Sequence, residues 1–303
     1  MTTNVIEIFN TVVSPLGARI DQLPPIILVF GGTLKGLNKS ARQMFINWVM
    51  INKPVISEQV RTPEQFDDWN NFKGYSNLVD FEIDAGHLTK AIVLFSESEG
   101  AYAELGSFCT DSILSERLFV VIDRQYYDAP SFIAKGPIKK IEDLHPEHSL
   151  CVLDTLDPIR VADQLPDLVV ALEEKLATLP KTLGFKPDRP RDQFLLVADL
   201  IDLFGALTRK ELYELVRVMG VEIDYERLDR ITSQLLRFEL IEFVPGVKKF
   251  FVAPKERIAY LNYASSSEAP AFDRARFKLL KVNPWLNADK SRLKAYEEIH
   301  PKA

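Results

Sequence analysis

Glu104 is the side chain in this sequence best placed to do covalent chemistry. It lies in the segment LFSESEGAYAELGSF, residues 94–108, where an apolar run passes through a small polar loop into a predicted helix. In open parallel sheets, ligands bind beyond the carboxyl ends of the strands, which is where this loop is expected. We place Glu104 near the first turn of the helix, where the helix dipole would keep its carboxylate ionised for nucleophilic attack.

Two further groups of residues suit a ligand at the same edge of the sheet. Gly31 and Gly32 follow an apolar run and could donate backbone N–H groups to a phosphate or a ribose. Ser96 and Ser98 carry hydroxyls close to the predicted helix N-terminus, where phosphate is favoured. The glycine pair does not form the G-x-G-x-x-G pattern, so a dinucleotide dehydrogenase is not predicted.

The first half of the chain alternates between strand and helix patterns. Continuous apolar runs predict buried strands at residues 26–30, 91–95 and 118–122, with a further strand predicted at 53–56. Helical spacing predicts helices at residues 40–51, 78–88 and 101–115. Because the apolar strands alternate with helices, the expected fold is α/β, with an open parallel sheet covered on both faces.

The second half carries a different pattern. Helices are predicted at residues 163–179, 192–204, 208–219 and 225–238, with a proline-rich stretch at 179–191. Two short apolar runs at 240–244 and 248–252 flank a Pro-Gly turn and predict a hairpin. Three helices followed by a hairpin is the pattern of a mainly α winged-helix domain, a variant of helix-turn-helix.

These patterns predict four segments. They are an α/β domain at residues 1–150, a helical linker at 151–190, a winged-helix domain at 191–265 and a C-terminal tail at 266–303. The tail is charged and weakly patterned, with one helix predicted at 272–280.

Composition narrows the class of protein. The chain has 303 residues, 47% hydrophobic and 26% charged, which is typical of a globular protein large enough for two cores. No apolar run approaches the roughly 20 residues of a membrane span, and no secretory signal is evident at the N-terminus. Two cysteines are too few for a disulfide framework. We therefore expect a cytoplasmic protein, with no metal site and no bound cofactor, since the four histidines form no cluster.

Charge is distributed unevenly between the two halves. Residues 1–150 carry 13 Lys and Arg against 19 Asp and Glu, whereas residues 151–303 carry 24 of each. Nucleic-acid contact, if it occurs, is therefore expected in the second half. The candidates lie on the third helix and in the hairpin: Arg227, Arg230, Ser233, Arg237, Lys248 and Lys249. Acidic neighbours dilute this patch, and winged helices also dock proteins, so both kinds of partner stay open.

The motif around Glu104 resembles that of a known family. Gly100-x-x-x-Glu104-Leu105-Gly106 is similar to the motif of the nucleoside 2-deoxyribosyltransferases, and the closer resemblance is to effector proteins of bacterial retrons. Those effectors pair a deoxyribosyltransferase-like N-glycosidase domain, which is Rossmann-like, with a C-terminal winged-helix region. The other matching positions are Phe95, Glu97-Ser98, Phe108, Ser131-Phe132-Ile133 and Gly136-Pro137.

The resemblance implies roles for individual residues. It makes Glu104 the nucleophile that attacks the anomeric carbon of a nucleotide. It assigns substrate binding to Gly31, Gly32, Glu82, Ser96, Ser98 and Gly100. Asp80 and Asp84 remain alternatives to Glu82 on the same predicted helix. Ser96 and Glu99 stand where the family often has prolines, which leaves the substrate open.

The resemblance also implies a biological role. The protein would be an antiphage toxin that hydrolyses the N-glycosidic bond of NAD or a related nucleotide. A reverse transcriptase with its msDNA and non-coding RNA would keep it inactive. As in related transferases, a second subunit would complete the pocket, so a homo-oligomer is expected. Two alternatives remain: a deoxyribosyltransferase of nucleoside salvage, and a nucleotide-sensing DNA-binding regulator.

Overall fold

The computed structural model describes residues 5–66, 75–256, 258–266 and 270–301. Two compact units emerge from its contacts. The α/β unit comprises the described parts of residues 24–67 and 79–180, and the C-terminal unit comprises those of residues 1–23, 68–78 and 181–303. No helix in the described ranges is both long and apolar enough to cross a membrane.

The strands are, in chain order, β1 (Val13–Ile20), β2 (Ile27–Phe30), β3 (Val60–Arg61), β4 (Ala91–Phe95), β5 (Leu118–Asp123), β6 (Leu150–Leu153), β7 (Leu183–Gly184), β8 (Ala206–Leu207), β9 (Glu242–Val244), β10 (Phe250–Val252) and β11 (Leu261–Ser265). The α-helices are α1 (Val5–Val12), α2 (Ala41–Asn52), α3 (Pro54–Ser57), α4 (Leu78–Leu88), α5 (Glu99–Phe108), α6 (Ser112–Arg117), α7 (Arg124–Tyr127), α8 (Lys139–Leu144), α9 (Leu165–Thr178), α10 (Pro190–Phe204), α11 (Arg209–Val218), α12 (Tyr225–Arg237), α13 (Arg274–Phe277), α14 (Asn283–Ala288) and α15 (Lys290–Ile299).

A five-stranded parallel sheet forms the centre of the α/β unit. Its strand order is β3-β2-β4-β5-β6, and every residue of β2, β4 and β5 is buried. Phe30 pairs in register with Leu94, which sets the ends of β2 and β4 side by side. The chain runs from β2 to one side of the sheet and later returns to the other side through β4. The crevice between such strands is the expected ligand site of an open α/β sheet.

Helices cover both faces of this sheet, as predicted. On one face, Phe45 of α2 and Leu168 of α9 belong to the same apolar cluster as Val29 and Val93. On the other face, Phe30 meets Phe108 of α5 edge to face, with ring centroids 5.0 Å apart. The prediction of a parallel α/β sheet is therefore confirmed.

Two predicted elements near the sheet are wrong in detail. Residues 53–56 are not a strand, because Pro54 begins the short helix α3; proline suits the first helical position and offers no N–H to a strand ladder. The predicted helix at 101–115 is two helices. Asp111 starts the second by accepting the N–H groups of Ile113 and Leu114.

The boundary predicted at residue 150 is also wrong. β6 pairs with β5 as the fifth parallel strand, and Leu165 and Leu172 of α9 lie in the apolar core. The α/β unit therefore continues to residue 180, and residues 151–180 are not a linker. The strand was missed because it is short and mostly half-buried, so it lacks the long apolar run that marked its neighbours.

The N-terminal residues belong to the C-terminal unit rather than to the α/β unit. β1 pairs antiparallel with both β11 and β7. Phe9 of α1 packs edge to face against Phe204 and Tyr263, with ring centroids 5.4 Å apart in each case. These partners lie far away in sequence, and local periodicity carries no information about them.

The middle of the C-terminal unit follows the order α10-β8-α11-α12-β9-β10. β8, β10 and β9 form a small antiparallel sheet in that order, which confirms the three predicted helices and the hairpin. Helix α11 begins with a capping box: the Thr208 side chain accepts the Glu211 N–H, and Glu211 Oε2 accepts the Thr208 N–H at 2.9 Å.

Much of the predicted tail is folded against this unit. Arg292 of α15 donates to the Ala206 carbonyl at 2.7 Å and to Glu211 Oε1 at 2.6 Å. Its guanidinium lies 3.6 Å from the ring centroid of Trp285. The predicted helix at 272–280 is present in part, as α13 and the π-helical turn that follows it.

Asp199 of α10 is the buried anchor of this C-terminal segment. It is fully buried and accepts the N–H groups of Tyr260 and Leu261, at 2.8 and 3.1 Å. It also accepts the Tyr263 hydroxyl at 2.5 Å and Arg274 Nη1 at 2.8 Å. A buried charge with this many donors is stable, but losing it leaves the donors unpaired.

We predict that Asp199→Ala lowers the free energy of unfolding by about 3–5 kcal/mol, because the N–H groups of Tyr260 and Leu261 and the Tyr263 hydroxyl would lose their buried acceptor. The exposed Asp188 is the matched control, and its alanine variant should change stability by less than about 0.5 kcal/mol. Urea unfolding followed by circular dichroism gives both values. Equal stabilities for the two variants would contradict the assignment.

Candidate active site

Two loops meet where β2 and β4 end. Gly31 and Gly32 follow β2, and Ser96 and Glu97 follow β4. Glu97 reaches across to accept the Gly32 N–H on Oε1 at 3.0 Å. The two loops that carry Gly31, Gly32 and Ser96 therefore meet at the switch in strand order.

Glu97 accepts three backbone N–H groups. Besides Gly32, it accepts Ala41 N at 2.7 Å and Arg42 N at 3.1 Å, both from the first turn of α2. The carboxylate thus occupies the place at a helix N-terminus where an external anion would otherwise bind. The Gly32 N–H, predicted to meet a phosphate or ribose, is donated to the protein's own carboxylate in this structure.

Both glycines are required by the close packing of this loop. Gly31 has a φ of +149°, and a Cβ there would lie 2.9 Å from the Phe95 Cβ. A Cβ on Gly32 would lie 2.8 Å from the Ser40 Cβ. The glycines are explained by the approach of β4 and α2 to the loop, independently of any ligand.

Arg42 forms hydrogen bonds with the backbone carbonyls of the same loop. The guanidinium donates to the carbonyl oxygens of Gly31 and Gly32 at 3.3 and 3.2 Å. It also forms a two-pronged ion pair with Glu64, in which Nη1 lies 2.9 Å from Oε1 and Nη2 contacts Oε2. The Arg42 side chain is 3% exposed and that of Glu64 is 47% exposed.

Glu104 lies in the second turn of α5, as its sixth residue after the Ser98 cap. Our expectation that the helix dipole keeps it ionised is therefore wrong, since that effect fades within the first turn. Burial raises the pKa of Glu104 to about 7; the charge of Arg42 lowers it and that of Glu64 raises it further. Its Oε2 is buried and has no hydrogen-bond partner among the described residues. This oxygen does not face bulk solvent.

Glu82 on α4 lies close enough to Glu104 for the charge of Glu104 to raise the pKa of Glu82. It is 8% exposed, and burial raises its pKa to about 8, with the charges of Glu104 and Glu64 adding to the rise. The charge of Glu104 thus places the two carboxyl groups within electrostatic reach of each other.

Glu82 and Glu104 form a pair suited to acid and nucleophile chemistry. With pKa values of about 8 and about 7, the two groups titrate as a coupled pair near neutral pH. The predominant state with one proton keeps Glu82 neutral and Glu104 anionic. Enzymes that give two carboxyl groups different pKa values in this way obtain a general acid from one of them and an anion from the other. The described part of the chain contains no cluster of His, Cys, Asp and Glu that would hold a metal ion.

The remaining predicted contact residues differ in burial and in their hydrogen bonds. The Ser96 side chain is fully buried, and its Oγ has no partner among the residues that the structure describes. Ser98 caps α5 by accepting the Ala101 N–H at 3.2 Å. Gly100 is exposed, and a Cβ there would meet open space. Gly106 also has open space beside it, whereas Leu105 is fully buried.

The candidate nucleic-acid contacts in the C-terminal unit are mostly engaged within that unit. Arg227 lies over the Phe194 ring at 5.1 Å, and Arg230 lies over the Tyr75 ring at 5.2 Å. Lys248 forms a 2.8 Å ion pair with Asp289. The other candidates differ in exposure: Ser233 and Arg237 are half-buried, whereas Lys249 is exposed. Because Lys249 is exposed, the hairpin is a better candidate than α12 for contact with nucleic acid.

Comparison with known proteins identifies the family. The sequence profile described as "STM3845 retron effector protein" matches residues 38–243, more than half of the chain. The chain belongs to this family of retron effectors.

Two curated relatives of the effector come from Escherichia coli. One, "Retron Ec73 putative ribosyltransferase/DNA-binding protein", is 27% identical over 190 residues, which span 56% of the effector and 59% of the relative. The other, "Retron Ec86 putative ribosyltransferase/DNA-binding protein", is 32% identical over 74 residues, 24% of each chain. The matches span less than two-thirds of either relative. Both names describe a putative ribosyltransferase, which is an enzyme of glycosyl transfer.

Sequence reasoning missed Arg42 and Glu64 as part of this site, and it missed the role of Glu97 as an anchor. Ser40, which caps α2 by accepting the Gln43 N–H, was a usable signal for a helix N-terminus near the glycine loop. Nothing local indicated that an acid 56 residues away from Ala41 would occupy that N-terminus.

The raised pKa of Glu82 has a consequence for stability. An acid whose pKa is raised on folding holds a proton that the unfolded chain releases, so the free energy of unfolding falls as pH rises from about 4.5 to about 8. Glu82→Gln removes this loss. We predict that wild type loses at least about 1 kcal/mol more than Glu82→Gln between about pH 5 and about pH 9. Urea unfolding at both pH values measures the difference, and exposed Glu99→Gln should follow wild type.

Proposed function

We propose that the effector hydrolyses the N-glycosidic bond of a nucleotide, with Glu104 as the nucleophile. The observation that carries this proposal is the coupled pair of Glu104 and Glu82, with one Glu104 oxygen buried and without a hydrogen-bond partner among the described residues. Cleavage of a C1′–N bond passes through an oxocarbenium-like state, which a facing carboxylate stabilises or captures as a glycosyl ester.

The proposed reaction has two steps. Glu104 attacks C1′ as the C1′–N bond breaks, and the bonding electron pair leaves with the base. A base that departs as an anion takes the proton of Glu82, whereas a base that is cationic in the substrate departs neutral and needs none. Water then attacks C1′ of the ester, releases the Glu104 carboxylate and returns a proton to the site. With an acceptor base in place of water, the same ester would give transfer instead of hydrolysis.

Charge favours a substrate such as NAD. Glu64 already neutralises the charge of Arg42, and Glu104 adds a carboxylate that is anionic when it acts as the nucleophile. Such a site attracts a positively charged leaving group, and the pyridinium of NAD is one. Because the Gly32 N–H is donated to Glu97, substrate phosphates would depend on Ser96, Ser98 and the open surface at Gly100, while Gly31 and Gly32 shape the pocket wall.

The C-terminal unit would link this activity to the retron. The order α10-β8-α11-α12-β9-β10 with its three-stranded sheet supports a winged-helix domain. In this proposal, a reverse transcriptase with its msDNA and non-coding RNA holds the effector inactive through that domain, and release during infection makes it an antiphage toxin. A homo-oligomer would complete the pocket, as in related transferases.

We predict that Glu104→Gln reduces release of free base from NAD by at least about 1,000-fold, because the amide keeps the shape but supplies no anion. The control is Glu99→Gln, an exposed acid on the same helix, which should retain activity. Chromatography of NAD, nucleotides and deoxynucleosides incubated with pure protein measures the release. Turnover that persists in Glu104→Gln would overturn the nucleophile assignment, and release only with an added base would show a transferase.

We further predict that the hairpin contributes to nucleic-acid binding. Lys249→Ala should reduce the dependence of DNA affinity on salt by about one counterion, because each lysine–phosphate contact releases one. The control is Lys210→Ala on α11, whose side chain is 81% exposed. Fluorescence anisotropy of a labelled DNA hairpin across a salt series measures both slopes. Identical slopes for the two variants would favour a protein partner for this surface.

A further inference from the structure

A surface cavity of about 230 Å³ lies at the amino ends of β5 and β6. In its lining, Glu116 precedes β5, residues 145–147 precede β6, and Lys175 lies near the end of α9. Because the strands are parallel, this is the opposite edge of the sheet from the loops that carry Gly31 and Ser96. The cavity belongs to the α/β unit and is separate from the candidate active site.

Lys175 is a buried cation whose hydrogen bonds are incomplete. It is 3% exposed and lies in the last turn of α9, where the helix dipole favours a positive charge. Its Nζ donates to Ser149 Oγ at 2.8 Å, and the Ser149 carbonyl accepts the Val120 N–H of β5 at 2.9 Å. No carboxylate pairs with Lys175 in the part of the chain that the structure describes. Since an ammonium has three donors, two N–H groups remain for a ligand in the cavity.

Two other polar side chains line the same cavity and have free hydrogen-bonding atoms. His145 Nε2 lies 3.2 Å from Ser115 Oγ, which holds the imidazole beside Glu116, the next residue of α6. Neither His145 Nδ1 nor the Glu116 carboxylate has a partner within the described ranges. The cavity therefore contains an ammonium, an imidazole nitrogen and a carboxylate that can each contact a ligand.

The charges in this lining are opposite but do not meet in an ion pair. Burial lowers the pKa of Lys175 to about 8, and the charge of Glu116 opposes this. Burial and the charge of Lys175 lower the pKa of His145, so its ring is neutral at pH 7. Glu147 is a second acid in the lining. A simple anion would meet two acids against one lysine, and a simple cation would meet the buried ammonium, whereas a ligand with both charges complements both groups.

Size limits the ligand further. Pockets for drug-sized molecules measure roughly 300–1,000 Å³, so this cavity suits a smaller one. We propose that the cavity binds a free amino acid, whose carboxylate accepts hydrogen bonds from Lys175 and whose ammonium contacts Glu116. With the Nε2 proton of His145 donated to Ser115, His145 Nδ1 is a further acceptor for the ligand ammonium.

Calorimetric titration of the full chain tests this site. The probes are the amino acids found in proteins, together with β-alanine and γ-aminobutyrate, which separate the two charges by greater lengths. At least one zwitterion should bind at least about 10-fold more tightly than acetate and methylammonium, because each of these makes only one of the two charged contacts. Acetate binding as tightly as every zwitterion would show a simple anion site and overturn the proposal, as would the absence of binding by any zwitterion.

Variants with matched controls locate the binding. Lys175→Met and Glu116→Gln should each weaken the best zwitterion by at least about 10-fold, because each removes one charged contact. Lys140→Met and Glu99→Gln remove the same charges at exposed positions and should bind like wild type. If Lys175→Met fails to fold, Glu116→Gln still tests the site, since the Glu116 side chain has no described partner to lose. Unchanged affinity in Glu116→Gln would contradict the proposed contact with the ligand ammonium.

The titration of Lys175 separates a ligand contact from a structural role. In protein labelled with ¹³C at the lysine ε-carbon, the resonance absent from Lys175→Met is that of Lys175. The bound zwitterion should raise the pKa of Lys175 from about 8, because its carboxylate favours the ammonium form. A lysine retained only to bind Ser149 would titrate at the same pH with and without the ligand, and that result would overturn the proposal.

Discussion

The carboxylate of Glu97 is the interaction on which the site depends. It accepts N–H groups from Gly32, Ala41 and Arg42, and so joins the end of β4 to the loop after β2 and to the start of α2. Burial raises its pKa, and those hydrogen bonds together with the charge of Arg42 oppose the rise. A carboxylate with three backbone donors is a strong anchor at a helix N-terminus. It fixes where the Arg42 side chain begins, and the charge of Arg42 lowers the pKa of Glu104.

The same arrangement brings unfavourable electrostatics into the α/β unit. Glu82 and Glu104 are held where burial raises the pKa of each, and no described partner satisfies Glu104 Oε2. Buried groups of this kind lower stability, and proteins usually retain them where they serve a function. Asp199 in the C-terminal unit shows the contrast, since this buried carboxylate has donors from the backbone, a tyrosine and an arginine. One unit buries an acid whose hydrogen bonds are satisfied, and the other buries two acids whose pKa values are raised by burial.

The parts of this architecture that could be predicted were those that the pattern of their own residues identifies. β2, β4 and β5 are continuous apolar runs, and α2 and α11 begin at residues whose side chains cap them, so each was found close to its true bounds. β6 and β1 were missed because their identity as strands depends on distant partners rather than on their own residues. Glu104 was proposed as the nucleophile from its motif, but its ionisation was misjudged, because it lies beyond the first helical turn and burial raises its pKa.

Glu97 shows why a motif alone can suggest the wrong partner for a residue. An acid-serine pair before a helix, opposite a glycine pair, suggests two loops that both bind the substrate. In the structure, the acid of one loop satisfies the N–H of the other, and the glycines are required because a Cβ on either would clash. Donors committed in this way cannot also hold a phosphate without displacing a buried carboxylate. Recognition by this effector should therefore rest more on the charge of the base and on the sugar beside Glu104 and Glu82 than on a phosphate-binding glycine loop.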